Sequence, residues 1–155
     1  MIRRYRPSDL KNAAEVFRGA FAAEPWNEEW SYELAETRIN ELMSSPQSIG
    51  YVAEDNGVIQ AVLCGRRLTY LYGVEYMIDE FCVSPNMQRS GIGTAVLDYA
   101  RKELTAEGVA AMVLLTTRGY PSERFYIKNG FESKDAMVFM YRTIEKNKEC
   151  TNDKT

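Results

Sequence analysis

Histidine is absent from all 155 residues. That absence removes Ser-His-Asp and Cys-His nucleophile chemistry, histidine zinc sites and histidine general bases together. Any proton transfer has to use Asp, Glu, Tyr, Lys, Cys or water. Cysteine is scarce: Cys64, Cys82 and Cys150 share no metal-ligand spacing, and their odd number, with no secretory segment ahead of them, argues against a disulfide framework. A reducing cytoplasm and no bound metal are expected. No apolar run approaches the roughly 20 residues needed to cross a bilayer, and Met1-Ile2-Arg3-Arg4-Tyr5 leads into a helical pattern rather than a signal-peptide core. Neither sign of charge dominates: 19 basic and 22 acidic residues leave a net charge of -3. Such a chain has no overall field to concentrate nucleic acid or anionic membrane; a cationic small molecule is a more natural guest.

What is present is enough apolar residue, 45% of the chain with 12% aromatic, to bury one substantial core but not two. One domain over residues 1–144 is expected, followed by a polar tail, 145–155, of disordered composition. A short strand ends near Tyr5. Pro7-Ser8-Asp9 starts a helix whose apolar positions Leu10, Ala13, Ala14, Phe17, Ala20 and Phe21 keep helical spacing. Glu24 to Trp30 interrupts it, and Ser31 caps a second helix through about Met43. Ile49 to Glu54 and Val58 to Cys64 form a hairpin around Asp55-Asn56-Gly57. A long extended run from Tyr70 to Val83 is read as one central strand, stopped by Pro85. A helix follows with Ile92, Ala95, Val96, Tyr99, Ala100 and Leu104 on one face, ending at Gly108. Ala110 to Thr117 reads as a buried strand, so strand, loop, helix and strand make a right-handed parallel crossover. Ser122 to Asn129 is a short helix, and Glu132 to Tyr141 a last strand. The fold class is α/β, a mixed sheet flanked by about four helices.

The loop Gln88-Arg89-Ser90-Gly91-Ile92-Gly93-Thr94 joins a strand end to a helix start. Unpaired N–H groups and the helix dipole favour an anion there, and glycine lets the backbone approach it closely. A pyrophosphate is the natural ligand, and a purely structural turn the alternative. A Rossmann site requires a third glycine where Val96 stands, and a Walker loop requires Gly-Lys-Ser/Thr, which is missing.

These residues resemble the GNAT superfamily of N-acetyltransferases, whose hallmark is Q/R-x-x-G-x-G/A after a strand ending in V-x-P. Here the two parts are Phe81-Cys82-Val83-Ser84-Pro85 and Gln88 to Gly93, and Phe125-Tyr126-Ile127-Lys128-Asn129-Gly130-Phe131 is similar to the second signature of the family. The resemblance spans Met1 to Tyr141. It implies a mostly antiparallel twisted sheet with one splayed parallel pair of strands and acetyl-CoA in the opening. It also implies that Phe81, Cys82 and Val83 hold pantetheine and thioester by main-chain groups, and that Gln88 to Thr94 hold the pyrophosphate. Tyr126 is then the proton donor to the leaving thiolate. Many members carry asparagine and alanine where this chain has Gly119 and Ser122.

Asp79 and Glu80 are adjacent carboxylates in an otherwise apolar strand, costly there unless they face a cleft or a partner. Strict alternation points them to opposite faces of the sheet. The run Ile78-Asp79-Glu80-Phe81 is similar to the pattern of aminoglycoside 6'-N-acetyltransferases, in which the aspartate at Asp79 contacts the acceptor amine; Glu80 and water are the other base candidates. On the acceptor side, Glu24, Trp26 and Glu28 place acid beside aromatic, which suits an amine cation. Packing is the alternative role for Trp26, Trp30, Tyr70, Tyr72 and Tyr76, and a solvated surface that for Arg124 and Lys128. An N-acetyltransferase acting on a cationic small amine is the first expectation, with a protein or peptide acetyltransferase, a non-catalytic CoA sensor and a plain nucleotide-binding module as other classes. Homodimers are frequent among such folds.

Overall fold

A computed structural model describes residues 1–144; the 145–155 tail and Cys150 lie outside the described residues. Five strands form one sheet in the order β1-β2-β3-β4-β5: β1 (Ile2–Arg4), β2 (Ser48–Asp55), β3 (Val58–Tyr70), β4 (Gly73–Val83) and β5 (Val109–Leu114). The first four are antiparallel neighbours, whereas β5 runs parallel to β4. Two helices, α1 (Leu10–Ala22) and α2 (Tyr32–Met43), pack on one face; α3 (Ile92–Ala106) and α4 (Pro121–Lys128) lie on the other.

Local chemistry explains most boundaries. The Ser31 hydroxyl accepts from the Leu34 N–H at 3.1 Å and opens α2. Asn56 and Gly57 both take positive φ, 49° and 80°, which matches the twist of the β2–β3 hairpin. Alternation on the strands then sorts the core into two layers. Val52, Val62, Cys64 and Cys82 meet Phe17, Ala35 and Ile39 on the α1/α2 face; Tyr51, Leu63, Tyr76 and Ile78 meet Val96, Leu97 and Leu104 on the α3 face.

Three expectations need correction. The extended run from Tyr70 to Val83 is not one strand: Tyr70 ends β3, Leu71 and Tyr72 turn, and β4 begins at Gly73. Apolar residues at the tip, with Tyr72 exposed, hid that turn from a composition-based reading. Asp79 and Glu80 do not point to opposite faces, because a bulge interrupts the alternation: Cys64 pairs with Glu80 and Gly65 with Ile78, which leaves Asp79 as the extra residue. Tyr76 and Ile78 therefore face α3, whereas Cys82 faces α1 and α2. Finally, Glu132 to Tyr141 forms no strand; it is irregular and exposed, and β5 is the sheet edge.

A partly buried ion pair anchors the N-terminal strand to the start of α1. Arg3 Nη1 and Nη2 donate to Asp9 Oδ2 and Oδ1 at 2.8 and 2.9 Å, Arg3 Nε reaches Glu54 at 3.0 Å, and the Arg6 N–H donates to Asp9 Oδ2 at 2.7 Å. Burial pushes the Asp9 carboxyl upward, but the Arg3 fork and the Arg6 N–H outweigh it, and the pKa falls below its ordinary 3.8. The folded state thus holds this carboxylate ionised more firmly than the unfolded chain. Its contribution is present above about pH 4 and is lost as pH falls through the lowered pKa. Asp9→Asn is expected to remove about 3 kcal/mol at neutral pH. Urea unfolding between pH 3 and 7 checks this, since the variant should also show a flatter acid limb.

Candidate functional site

The pairing of β4 with β5 stops at Ile78 and Leu114. Beyond that point Glu80 to Val83 remain paired to β3 alone, and Leu115 to Thr117 leave the sheet as an irregular segment. The parallel strands thus part, and β4 offers its other backbone edge to the gap. A cleft of about 420 Å³ opens there, between β4, the end of β5, α1, α2 and α4. Its lining includes Phe17, Phe21, Trp26, Glu28, Trp30, Arg38, Asp79, Glu80, Phe81, Thr116, Ser122 and Tyr126.

The bulge brings both carboxylates to this cleft, each with an arginine. The Arg66 Nε donates to Asp79 at 3.2 and 3.1 Å, one bond to each oxygen. Arg38, on α2, donates through Nε and Nη2 to Glu80 Oε1 at 3.2 and 2.9 Å. No described residue hydrogen-bonds to Glu80 Oε2. Burial raises the Glu80 pKa above the ordinary carboxylate value; Arg38 opposes that shift, and Glu28 and Asp79 add to it. Glu80 therefore holds a proton nearer neutrality than a surface glutamate does. Sequence reading missed Arg38 and Arg66. On α2 the helical spacing of Ala35 and Ile39 marks the buried face, but nothing in the pattern marks which charged neighbour reaches β4.

Tyr126 comes to the same cleft from α4. Its ring is wedged edge-on between Phe125 and Phe131, with centroids 5.3 Å from each, and Phe81 braces Phe125 at 5.9 Å. Burial pushes the phenol pKa well above 10, with the charge of Glu80 adding to it, so Tyr126 stays protonated throughout the neutral range. The Thr116 hydroxyl donates to Ser122 Oγ at 2.8 Å on the same wall.

The aromatic wall is continuous: Phe17 meets Phe21 at 4.7 Å and Trp30 at 4.8 Å, and Trp26 lies between Phe21 at 5.5 Å and Tyr120 at 5.0 Å. The Trp30 Nε1–H donates to Glu28 Oε2 at 2.7 Å. Trp26 and Glu28 thus line the cleft, whereas Glu24 is exposed and outside its lining. Tyr76 belongs to the core and donates to the Ile49 carbonyl at 2.6 Å; Tyr70 and Tyr72 lie exposed at the β3–β4 tip. Arg124 and Lys128 are exposed on α4. Cys82 is buried, and burial pushes its thiol pKa far upward, so it packs rather than reacts.

At the far end of the open edge lies the glycine loop. Ser90 Oγ–H donates to the Met87 carbonyl at 2.5 Å, and both Arg89 and Gly91 take positive φ, 61° and 86°. Gly91 is the left-handed residue from which α3 starts. The first N–H groups of α3, at Ile92, Gly93 and Thr94, have no partner within the helix. Gly93 is buried, and a Cβ there would come within 3.2 Å of the Phe125 ring, so this packing joins the loop to the helix that carries Tyr126. A Cβ at Gly91 would meet nothing within 4 Å. Gly91→Ala is therefore expected to cost about 1 kcal/mol through backbone strain alone, read as a lowered denaturant midpoint with an unchanged slope.

Comparison with known proteins gives the same fold. No curated protein matches the chain. Among solved structures, a possible acetyltransferase from Clostridium difficile 630 superposes with a TM-score of 0.79 at 17% identity, over 94% of this chain and 98% of that one. An aminoglycoside acetyltransferase from an uncultured soil metagenomic sample, in complex with sisomicin, gives 0.73 at 18% identity over 94% and 96%. The aminoglycoside N-acetyltransferase AAC(6')-Iy in complex with CoA gives 0.72 at 16% over 93% and 94%. At such identities the likeness is one of fold. The family match is a matter of sequence: the acetyltransferase (GNAT) family profile covers residues 10–131, from the first residue of α1 to the phenylalanine beside Tyr126, and the chain belongs to that family of acetyltransferases.

Proposed function

We propose that the protein transfers the acetyl group of acetyl-CoA directly to a primary amine of a cationic small molecule. The observation that carries this reading is the continuity of the open β4 edge. It leads from the amide-lined loop at Gln88 to Thr94 into a carboxylate- and aromatic-walled cleft that also contains Tyr126. Acetyl-CoA fits both ends: the N-terminus of α3 suits a pyrophosphate, and the unpaired edge of Phe81, Cys82 and Val83 suits the amides of pantetheine as an added strand. When bound, it supplies the activated acetyl thioester.

The residues of the chain then have distinct tasks. Transfer needs a neutral amine held against the acetyl carbonyl and a proton for the departing sulfur. Glu80 Oε2, on a carboxylate with a raised pKa, supports a role in taking the amine proton, directly or through water. Asp79, with both oxygens on Arg66, suits orientation of the acceptor. Tyr126, a phenol held protonated by burial, suits donation to sulfur. The aromatic faces of Phe17, Phe21, Trp26 and Trp30 surround the carboxylates of the cleft, an arrangement that suits a cation. The aminoglycoside acetyltransferases among the structural neighbours agree with that acceptor class.

Calorimetric titration with acetyl-CoA, followed by thiol release against aminoglycosides, polyamines and peptides, tests the proposal. Saturable binding with release that depends on a cationic small amine supports it. Release with peptides alone moves the assignment to a protein acetyltransferase, binding without release to a CoA sensor, and no acetyl-CoA binding rejects the reading.

A further inference from the structure

Two loops that belong to opposite faces of the sheet touch each other. Trp26 stands in the segment between α1 and α2, on one face, and Tyr120 is the N-terminal cap position of α4, on the other. Paired strands keep such loops apart, so they meet only outside the paired region. Trp26 lines the cleft, as do Thr117 and Ser122 to either side of Tyr120, which places the contact where β4 and β5 part. The ring centroids are 5.0 Å apart at 55°, a spacing at which two rings are in contact and nothing passes between them. Each ring is carried on a tied turn. The Trp26 and Asn27 N–H groups donate to the Ala23 carbonyl at 3.1 and 3.2 Å, and the Glu28 N–H donates to the Phe21 carbonyl at 2.9 Å. Opposite them, the Tyr120 N–H donates to the Thr117 carbonyl at 3.2 Å, the Glu123 N–H donates to the Tyr120 carbonyl at 3.1 Å, and the Gly119 N–H donates to Glu123 Oε2 at 2.5 Å. The aromatic pair is thus a fixed bar across the cleft.

We propose that this bar selects the acceptor, with Tyr120 a specificity-determining residue, and that the acceptor is an unbranched di- or polyamine rather than a multi-ring amine; the inference rests on the acetyl-transfer reading above. An extended aliphatic amine keeps the same narrow cross-section along its length and lies along the cleft beside the bar. A multi-ring amine projects substituents from every ring and meets it. Space points the same way. The cleft of about 420 Å³ has to take the acetyl thioester as well as the acceptor, and it is already toward the lower end of the roughly 300–1,000 Å³ of small-molecule sites. Charge explains why more than one ammonium is favoured. With the reacting amine at Asp79 and Glu80, a second ammonium farther along the chain finds the aromatic faces of the bar, with Glu28 lining the cleft from the same loop as Trp26.

The test measures thiol release with spermidine, with a linear monoamine of matched length and with the aminoglycoside kanamycin, on the full chain. Selectivity is read as a ratio of kcat/KM values, in which any loss of folded enzyme cancels. The wild-type chain should favour spermidine over each of the others by at least about tenfold. Tyr120→Ala opens the bar and should lower the spermidine-to-kanamycin ratio by about tenfold, whereas Tyr120→Phe keeps the ring and with it the ratio. If Tyr120→Ala fails to fold, Trp26→Ala and the wild-type ratio still decide. A wild-type chain that acetylates kanamycin or the monoamine as well as spermidine, or a ratio that Tyr120→Ala leaves unmoved, overturns the proposal while acetyl transfer stands. No acetyl-CoA binding, or binding without release for any amine, removes the acetyl-transfer reading and this inference with it.

Discussion

Tyr126→Phe is expected to lower kcat for acetyl transfer by about a hundredfold, with acetyl-CoA affinity largely retained. The ring is held by Phe125 and Phe131, and phenylalanine preserves those contacts, so the substitution removes the hydroxyl and little else. A positioned general acid contributes typically 10²–10⁴ in rate, and the lower end applies if water can substitute in an open cleft. The separation of kcat from binding is the decisive feature. Calorimetry against acetyl-CoA should be nearly unchanged while steady-state thiol release collapses. Equal loss of both would make Tyr126 a packing residue, and full activity would remove it from the chemistry.

Glu80→Gln is expected to reduce kcat by a comparable factor and to change the pH profile. A base must be deprotonated, so activity should fall as pH drops through the Glu80 pKa. Burial places that limb above the ordinary carboxylate value of 4.5. The limb should vanish in the glutamine variant. Arg38→Met supplies the control. Arg38 is the group that lowers this pKa, against the raising effects of burial, Glu28 and Asp79. Its loss should therefore move the acidic limb to higher pH. A profile of unchanged shape in both variants would assign proton removal elsewhere, with Asp79 or water as the remaining choices.

Features that depend on a few neighbouring residues were legible in the sequence. The Asn56-Gly57 hairpin, the Ser31 cap, the glycine loop and the parallel crossover through α3 are each set by backbone chemistry within a short window, so their signals survive without tertiary information. The β3–β4 turn was not legible, since Leu71 and Tyr72 carry strand-type side chains and the turn depends on where the two strands pair.

The sequence by itself determined the order of the elements, one sheet with two faces of helices, and the positions of Tyr126 and the glycine loop relative to them, because periodicity and turn residues act locally. Only the tertiary structure decided where the carboxylates lie and what they pair with. Cross-strand register makes Asp79 a bulge residue, turns Glu80 toward α2 and gives it Arg38 as a partner from 42 positions away. It also decided that Glu132 to Tyr141 stands off the sheet, although its residues favour a strand. Strand propensity is a property of the segment, but a strand forms only where a neighbouring edge supplies its hydrogen bonds.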